Sequence, residues 1–425
     1  MNGAVAAGHP LTAEAGAKAL RAGGNAIDAA VAAAFAAAVL EGPLTGPAGG
    51  GFLLLHVDGE PLVLDCFFAV PRREAAPMEE VVIDFVDAGE QVFHVGEGSV
   101  AVPGLVAGLE EAHRRFGTVP WPELVEPAIE LARAGVETTE AQRVLHTILT
   151  GILRRTDAGR RIYGSAERIE TAELVATLER VRDVRGAAVP ELLPELAGDI
   201  LGYRVAAPEP VRTRIDGREL LTTPPPSRGG AIVAAALERL AHAETLAERA
   251  DALRHGYASA PPLGVAGTTH ISVLDAGGNA AALSSTLGAG SGLFRGGTQL
   301  NNMLGELDVI GHAPRTAGER LPSMMTPTLV LEDGRPRLAL GSAGSVRLAG
   351  AIAQVADAVL RGLPVAEAIE RPRLHVDGDV LHLEGGLEGE APAGWNVVRW
   401  AGRNLYFGGA SAVERRPGGR LAAAG

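Results

Sequence analysis

In "GTTHISVLDAGGNAAALSSTLG", Gly267 to Gly288, two threonines follow a glycine. A threonine hydroxyl becomes a nucleophile when a nearby base takes its proton. His270, two residues after Thr268, has the residue type of such a base. A second stretch, "LGSAGS", ends an apolar run and precedes a helical pattern. The backbone N–H groups of Gly344 and Ser345 would be free there, aided by a helix dipole, and could hold a negative oxygen. Each feature also has an ordinary reading. A β-branched Thr is at home in a strand, and a Gly-rich turn joins many strands to helices.

The surrounding elements decide whether these groups can meet. Thr268, His270 and Ser272 alternate with Thr269, Ile271 and Val273, the period of a strand. Asp275 to Asn279 makes the turn and "AAALSSTLG" returns. Asp58-Gly59 and Asp333-Gly334 mark two more hairpins, "FLLLHVDGEPLVLDCFF" and "PTLVLEDGRPRLALGSAGS". Thr12 is positioned to cap a first helix that ends at Gly23-Gly24. Asn25 is positioned to cap the next, with Asp28 three residues on. Asp28 reads as a capping or scaffold residue. From Pro103 to about Leu201 the pattern is helical. "TTPPPSRGG" turns into a further helix, and "VRLAGAIAQVADAVLRGL" is a long amphipathic one. There is no repeat and no domain boundary. Strand pairs between helical runs imply an α+β fold with sheets sandwiched by helices.

Composition narrows the function. The 425 residues carry a net charge of −13, which argues against nucleic-acid or anionic-membrane partners. The one cysteine, Cys66, excludes an internal disulfide and a zinc-thiolate cluster, and reads as a small half-buried hydrophobe. No His/Asp spacing suggests a metal site, and no strand–GxGxxG–helix pattern suggests a dinucleotide cofactor. The run Ala29–Leu40 is about a dozen residues, short of the roughly 20 a membrane span needs. "MNGAVAAGHPLTAEAG" lacks a basic segment followed by an apolar one, so a cytoplasmic location is expected.

The Gly267–Gly288 stretch resembles the segment around the catalytic threonine of the gamma-glutamyltranspeptidase family, which are N-terminal-nucleophile hydrolases. The family's other blocks follow in order. "AGGNAIDAAVAAAFAAAVLEGPLTGPAGGGFLLL" resembles its opening helices and glycine cluster, and "SVAVPGLVAGLEEAHRRFGTVPWPELVEPAIELARAG" its next block. "TTPPPSRGG", "LNNMLGELD", "LPSMMTPTLVLEDG" and "LGSAGSVRL" complete the set. The resemblance implies a four-layer αββα sandwich, one structural domain built from residues 1–267 and 268–425 as two autoprocessed subunits. Thr268 would attack the Gly267 carbonyl, and the ester so formed would be hydrolysed to release two chains. The new α-amine of Thr268, of ordinary pKa about 7.7–8.0, would then serve as the base. An acyl-enzyme would pass its acyl group to water or an amine. Gly344 and Ser345 would form the oxyanion hole, and Thr286 would hydrogen-bond the nucleophile. His270 is then a structural strand residue. The partners implied are a small amide or peptide-like substrate and the chain's own cleaved subunit, with no cofactor.

The departures concern the acyl group. Family members hold a γ-glutamyl α-carboxylate with an arginine, an asparagine and two serines. Those positions here are Phe67, Gly288, Pro322 and Ser323, so only Ser323 remains. A glutamine position is Met303, and the aspartate that takes the α-amine is Glu306. A buried carboxylate without partners costs several kcal/mol. Arg72 and Arg73 lie five to six residues late and read as loop arginines. Three readings follow: an amidohydrolase or acyltransferase for a group other than plain γ-glutamyl, a γ-glutamyl enzyme with a rebuilt clamp, or an uncleaved scaffold protein.

Overall fold

The computed structural model describes residues 3–74, 76–85, 89–165, 167–260, 267–311, 314–390 and 392–425, without the side chains of 308, 309 and 345. Two antiparallel sheets lie face to face at its centre. The first is ordered β1 (Gly3–Ala7), β6 (Thr269–Asp275), β7 (Ala280–Thr286), β2 (Gly50–Val57), β3 (Glu60–Cys66). The second is ordered β11 (Leu421–Ala424), β10 (Gly409–Arg415), β9 (Arg335–Ala343), β8 (Thr328–Glu332), β5 (Arg218–Thr222), β4 (Val211–Ile215). Helices α1 (Pro10–Arg21) and α2 (Ala26–Leu40) cover the first sheet, and α3 (Gly229–Leu240) and α4 (Leu348–Leu360) cover the second.

Three apolar layers hold this together. Ile271, Val273 and Leu283 pack outward against Ala30, Val31 and Phe35 of α2. Leu54, Leu274, Ala282, Leu329, Ala339 and Val413 fill the space between the sheets. Leu338 and Leu340 face Ile232, Leu237, Ile352 and Val355 on the far side. The αββα architecture is therefore the one the resemblance implied. Both sheets combine strands from before and after residue 267, so neither part has a complete sheet of its own.

The Asp-Gly turns form as expected. Asp58 and Gly59 have φ of 52° and 90°, and Asp333 and Gly334 have 51° and 73°, which is the left-handed geometry of tight hairpins. All fifteen residues of α2 are buried, so this run is a core helix. Among the described residues no helix is long and apolar enough to cross a membrane. Cys66 is fully buried rather than half-buried. Its Sγ donates to the Gly51 carbonyl at 3.1 Å, and burial pushes the thiol's pKa up.

Asn25 caps α2 and closes a capping box with Asp28. Thr12 does not cap α1. His9 does, accepting from Leu11 N at 3.1 Å, because the helix starts earlier, at Pro10. Buried Asp28 also accepts from Thr118 N at 3.1 Å and Thr118 Oγ1 at 2.6 Å, tying α2 to the loop after residue 116. Asp28→Ala strands these donors and should cost about 3 kcal/mol. Denaturant unfolding measures it, and a loss below about 1 kcal/mol would contradict the scaffold role.

Candidate active site

The strand β6 sends alternate side chains to opposite faces. Thr269, Ile271 and Val273 face α2, where Thr269 Oγ1 donates to Glu41 Oε2. His270, Ser272 and Leu274 face the second sheet. Ser272 Oγ donates to Ser411 O at 3.1 Å, and a Cβ on Gly341 would meet the His270 ring at 2.2 Å. Thr268, itself buried, immediately precedes this strand.

The direction of the two sheets brings the other candidates to the same end. Asp275 O accepts from Arg415 Nη2 at 2.7 Å, while His270 sits over Gly341, whose neighbour across the ladder is Ser411. Stepping back along β6 from 275 toward 268 therefore follows β9 forward from its start toward Ala343. Beyond Ala343 the chain turns through Gly344, with φ of 126°, into the short helix Ser345–Arg347. A Cβ at Gly344 would meet Gly408 Cα at 2.7 Å, so only glycine fits this turn.

Thr286 closes β7 at the same end. Its hydroxyl donates to the Gly267 carbonyl and accepts from Gly288 N at 2.8 Å. In the unbroken chain, then, Thr286 serves the carbonyl before Thr268. Gly267 is tightly enclosed: a Cβ there would come within 2.7 Å of Gly288 O and 3.1 Å of Leu44 Cδ2. His270 is a structural residue. It shares hydrogen bonds with Ser284 Oγ at 2.8 Å and Ser272 Oγ at 2.9 Å. Burial pulls its pKa down to about 3, so the ring stays neutral.

Several of the substitution positions converge. Gly288 has φ of 70°, and a Cβ there would meet Asn302 Oδ1 at 2.2 Å, Glu306 Oε1 at 2.8 Å and Met303 Sδ at 3.2 Å. Glu306 accepts from Ala289 N at 2.8 Å and Asn302 from Gly290 N at 3.0 Å. The polar groups around residue 288 thus come from Asn302 and Glu306. Phe67 and Met303 belong to one buried apolar cluster, and Phe67 stacks on Phe52 with ring centroids 5.3 Å apart. Pro322 is half-buried. Ser323 is buried, and its Oγ accepts from Met325 N at 3.0 Å.

Two groups were not evident from the sequence. Arg320 Nη1 donates to Phe67 O at 2.6 Å, and its guanidinium lies 4.0 Å from the Tyr203 ring centroid and also donates to Arg204 O. The cation beside position 67 therefore comes from a residue 253 positions away. Glu41 is the other, and it had no motif to announce it. Arg72 and Arg73 remain loop residues: Arg72 pairs with Asp199 at 3.6 Å, and Arg73 donates to Glu97 O and Val100 O.

A family model described as gamma-glutamyltranspeptidase matches residues 12–184 and 238–424. The chain is 29% identical to the Acylase ACY 1 proenzyme of Pseudomonas sp. (strain SE83), over 99% of this chain and 91% of that protein. It is 30% identical to the glutathione hydrolase proenzyme of Pseudomonas aeruginosa, over 88% and 82%. The crystal structure of cephalosporin acylase from Bacillus halodurans superposes with a TM-score of 0.81, covering 99% of this chain and 93% of that one. Its 19% identity makes that a likeness of fold.

Proposed function

Because the chain belongs to the gamma-glutamyltranspeptidase family, we propose that it is a self-cleaving N-terminal-threonine amidohydrolase or acyltransferase. The hydrogen bond from Thr286 Oγ1 to Gly267 O carries this reading. It polarises the one carbonyl that Thr268 must attack and offers a donor to the oxyanion formed there. In the first stage Thr268 Oγ1 adds to the Gly267 carbonyl carbon, and the C–N bond to Thr268 breaks. The hydroxyl proton ends on the departing nitrogen. Water then hydrolyses the Gly267 ester, leaving residues 1–267 and 268–425 as interleaved subunits of one fold.

In the second stage the α-amine of Thr268 accepts the hydroxyl proton as Thr268 attacks a substrate amide. The backbone N–H groups of Gly344 and Ser345, at the same end of the sandwich, stabilise the resulting oxyanion. Water or an amine takes the acyl group from the ester.

The acyl group is one other than plain γ-glutamyl. Phe67 and Met303 supply apolar packing where a carboxylate would need charge. Gly288 has no room for the asparagine side chain, and Arg320 is engaged by the carbonyls of Phe67 and Arg204. One observation favours a γ-glutamyl substrate instead: Arg320 does bring a guanidinium to the edge of position 67. Side-by-side assays of γ-glutamyl-p-nitroanilide and apolar acyl-p-nitroanilides separate the two. The expected result is at least about tenfold higher kcat/KM for an apolar acyl group, the worth of one unpaired polar group. Saturable release from the γ-glutamyl compound alone would overturn this assignment.

A further inference from the structure

Glu41 stands where a carboxylate has little reason to be. It follows the last turn of α2, the negative end of the helix dipole. It is 7% exposed. Its Oε1 accepts from Thr12 Oγ1 at 2.8 Å, and its Oε2 accepts from Thr269 Oγ1. Gly8 closes over it, since a Cβ there would lie 2.7 Å from Oε2. Burial pushes its pKa up, and only the two threonine hydroxyls push back.

The neighbouring titratable groups supply no charge. His9, at the start of α1, has its pKa lowered by burial. Tyr163, whose hydroxyl packs on Gly42, is held protonated by burial. His146 packs edge-on against Tyr163 and its pKa is pulled down to about 4 by burial. Near neutral pH all three are uncharged. The unbroken chain therefore buries a carboxylate that lacks a cation among the described residues.

Cleavage before Thr268 would supply one. The new ammonium would sit on the residue next to Thr269, whose hydroxyl already holds Glu41. We propose that Glu41 is the latent counter-charge for the α-ammonium of Thr268, a positioning residue that acts through Thr269. The inference rests on the self-cleavage reading above. It gives the carboxylate a function in the mature enzyme: burial alone would pull the α-amine's pKa down, and the nearby negative charge restores it toward the working pH. The effect is mutual, so Glu41 ionises more readily once the chain is cut.

The sign follows directly. Catalysis needs the neutral amine, so activity rises as pH passes its pKa. An ionised Glu41 favours the ammonium and holds that rise at higher pH. Glu41→Gln keeps the shape and a carbonyl acceptor but removes the charge. Both the wild-type protein and this variant should be cut, with Thr268 as the new N-terminus by sequencing. The acid limb of kcat/KM against pH should lie about one unit lower in the variant. Coincident limbs in two correctly cut proteins would overturn the inference alone. A wild-type chain that is never cut before Thr268 would overturn the self-cleavage reading and this inference with it. If Glu41→Gln does not accumulate, Thr269→Val tests the relay from the other side. It should lower the limb, and Thr269→Ser should restore it; a Thr269→Val limb on the wild-type curve overturns the proposal.

Discussion

Thr268→Ala is expected to leave one unbroken chain and to remove the amidase activity with it. The two losses share one cause. In the first stage no other hydroxyl is covalently placed beside the Gly267 carbonyl. In the second, the uncut variant has neither nucleophile nor free α-amine. Losing a nucleophile costs on the order of 10⁶-fold in kcat in a well-studied hydrolase, and a similar fall is expected here. Thr268→Ser keeps the hydroxyl and should be cut, more slowly. Intact mass separates these outcomes. A Thr268→Ala chain cut at the same bond would show that another group attacks it.

Thr286→Val is the second large effect, and it divides the stages. The side chain has similar volume, but valine can neither donate to Gly267 O nor accept from Gly288 N. Removing one oxyanion donor costs about 10² to 10³ in rate. The half-time of chain cleavage, followed on denaturing gels from freshly made protein, should lengthen by that factor. Thr286→Ser should recover most of the rate. Cleavage of Thr286→Val at the wild-type rate would show that this hydrogen bond is only a strand-end contact.

Local chemistry made much of the scaffold readable. Asp58-Gly59 and Asp333-Gly334 announce hairpins because few other residue pairs accept two consecutive positive φ values. Asn25 and Asp28 announce the start of α2 because their side chains satisfy amides three residues away. Thr12 misled because α1 begins one residue after His9, whose ring supplies the cap, leaving the Thr12 hydroxyl to reach Glu41 across 29 positions. That pairing has no local signal.

The same holds for the site. The family blocks pointed to Thr268, Thr286 and the Gly344–Ser345 turn as the proposed machinery. The gaps at Phe67, Gly288 and Met303 were visible as missing polar residues. What fills them was not visible. Asn302 and Glu306 reach residue 288 only because the chain folds back after β7, and Arg320 reaches Phe67 O only when Leu321 N has bonded Phe68 O at 3.0 Å. Glu41 carries no motif. Its interest lies in the absence of a nearby cation among the described residues, which only the folded arrangement reveals.

The central claim is that Gly267–Thr268 is a bond made to be broken by the threonine after it. Intact-mass analysis of the purified wild-type protein, with N-terminal sequencing of each chain, tests it most directly. Two chains that remain associated under native conditions are expected, the smaller beginning Thr268-Thr269-His270. A single chain spanning residues 1–425 that stays whole over days would contradict it and favour a scaffold protein.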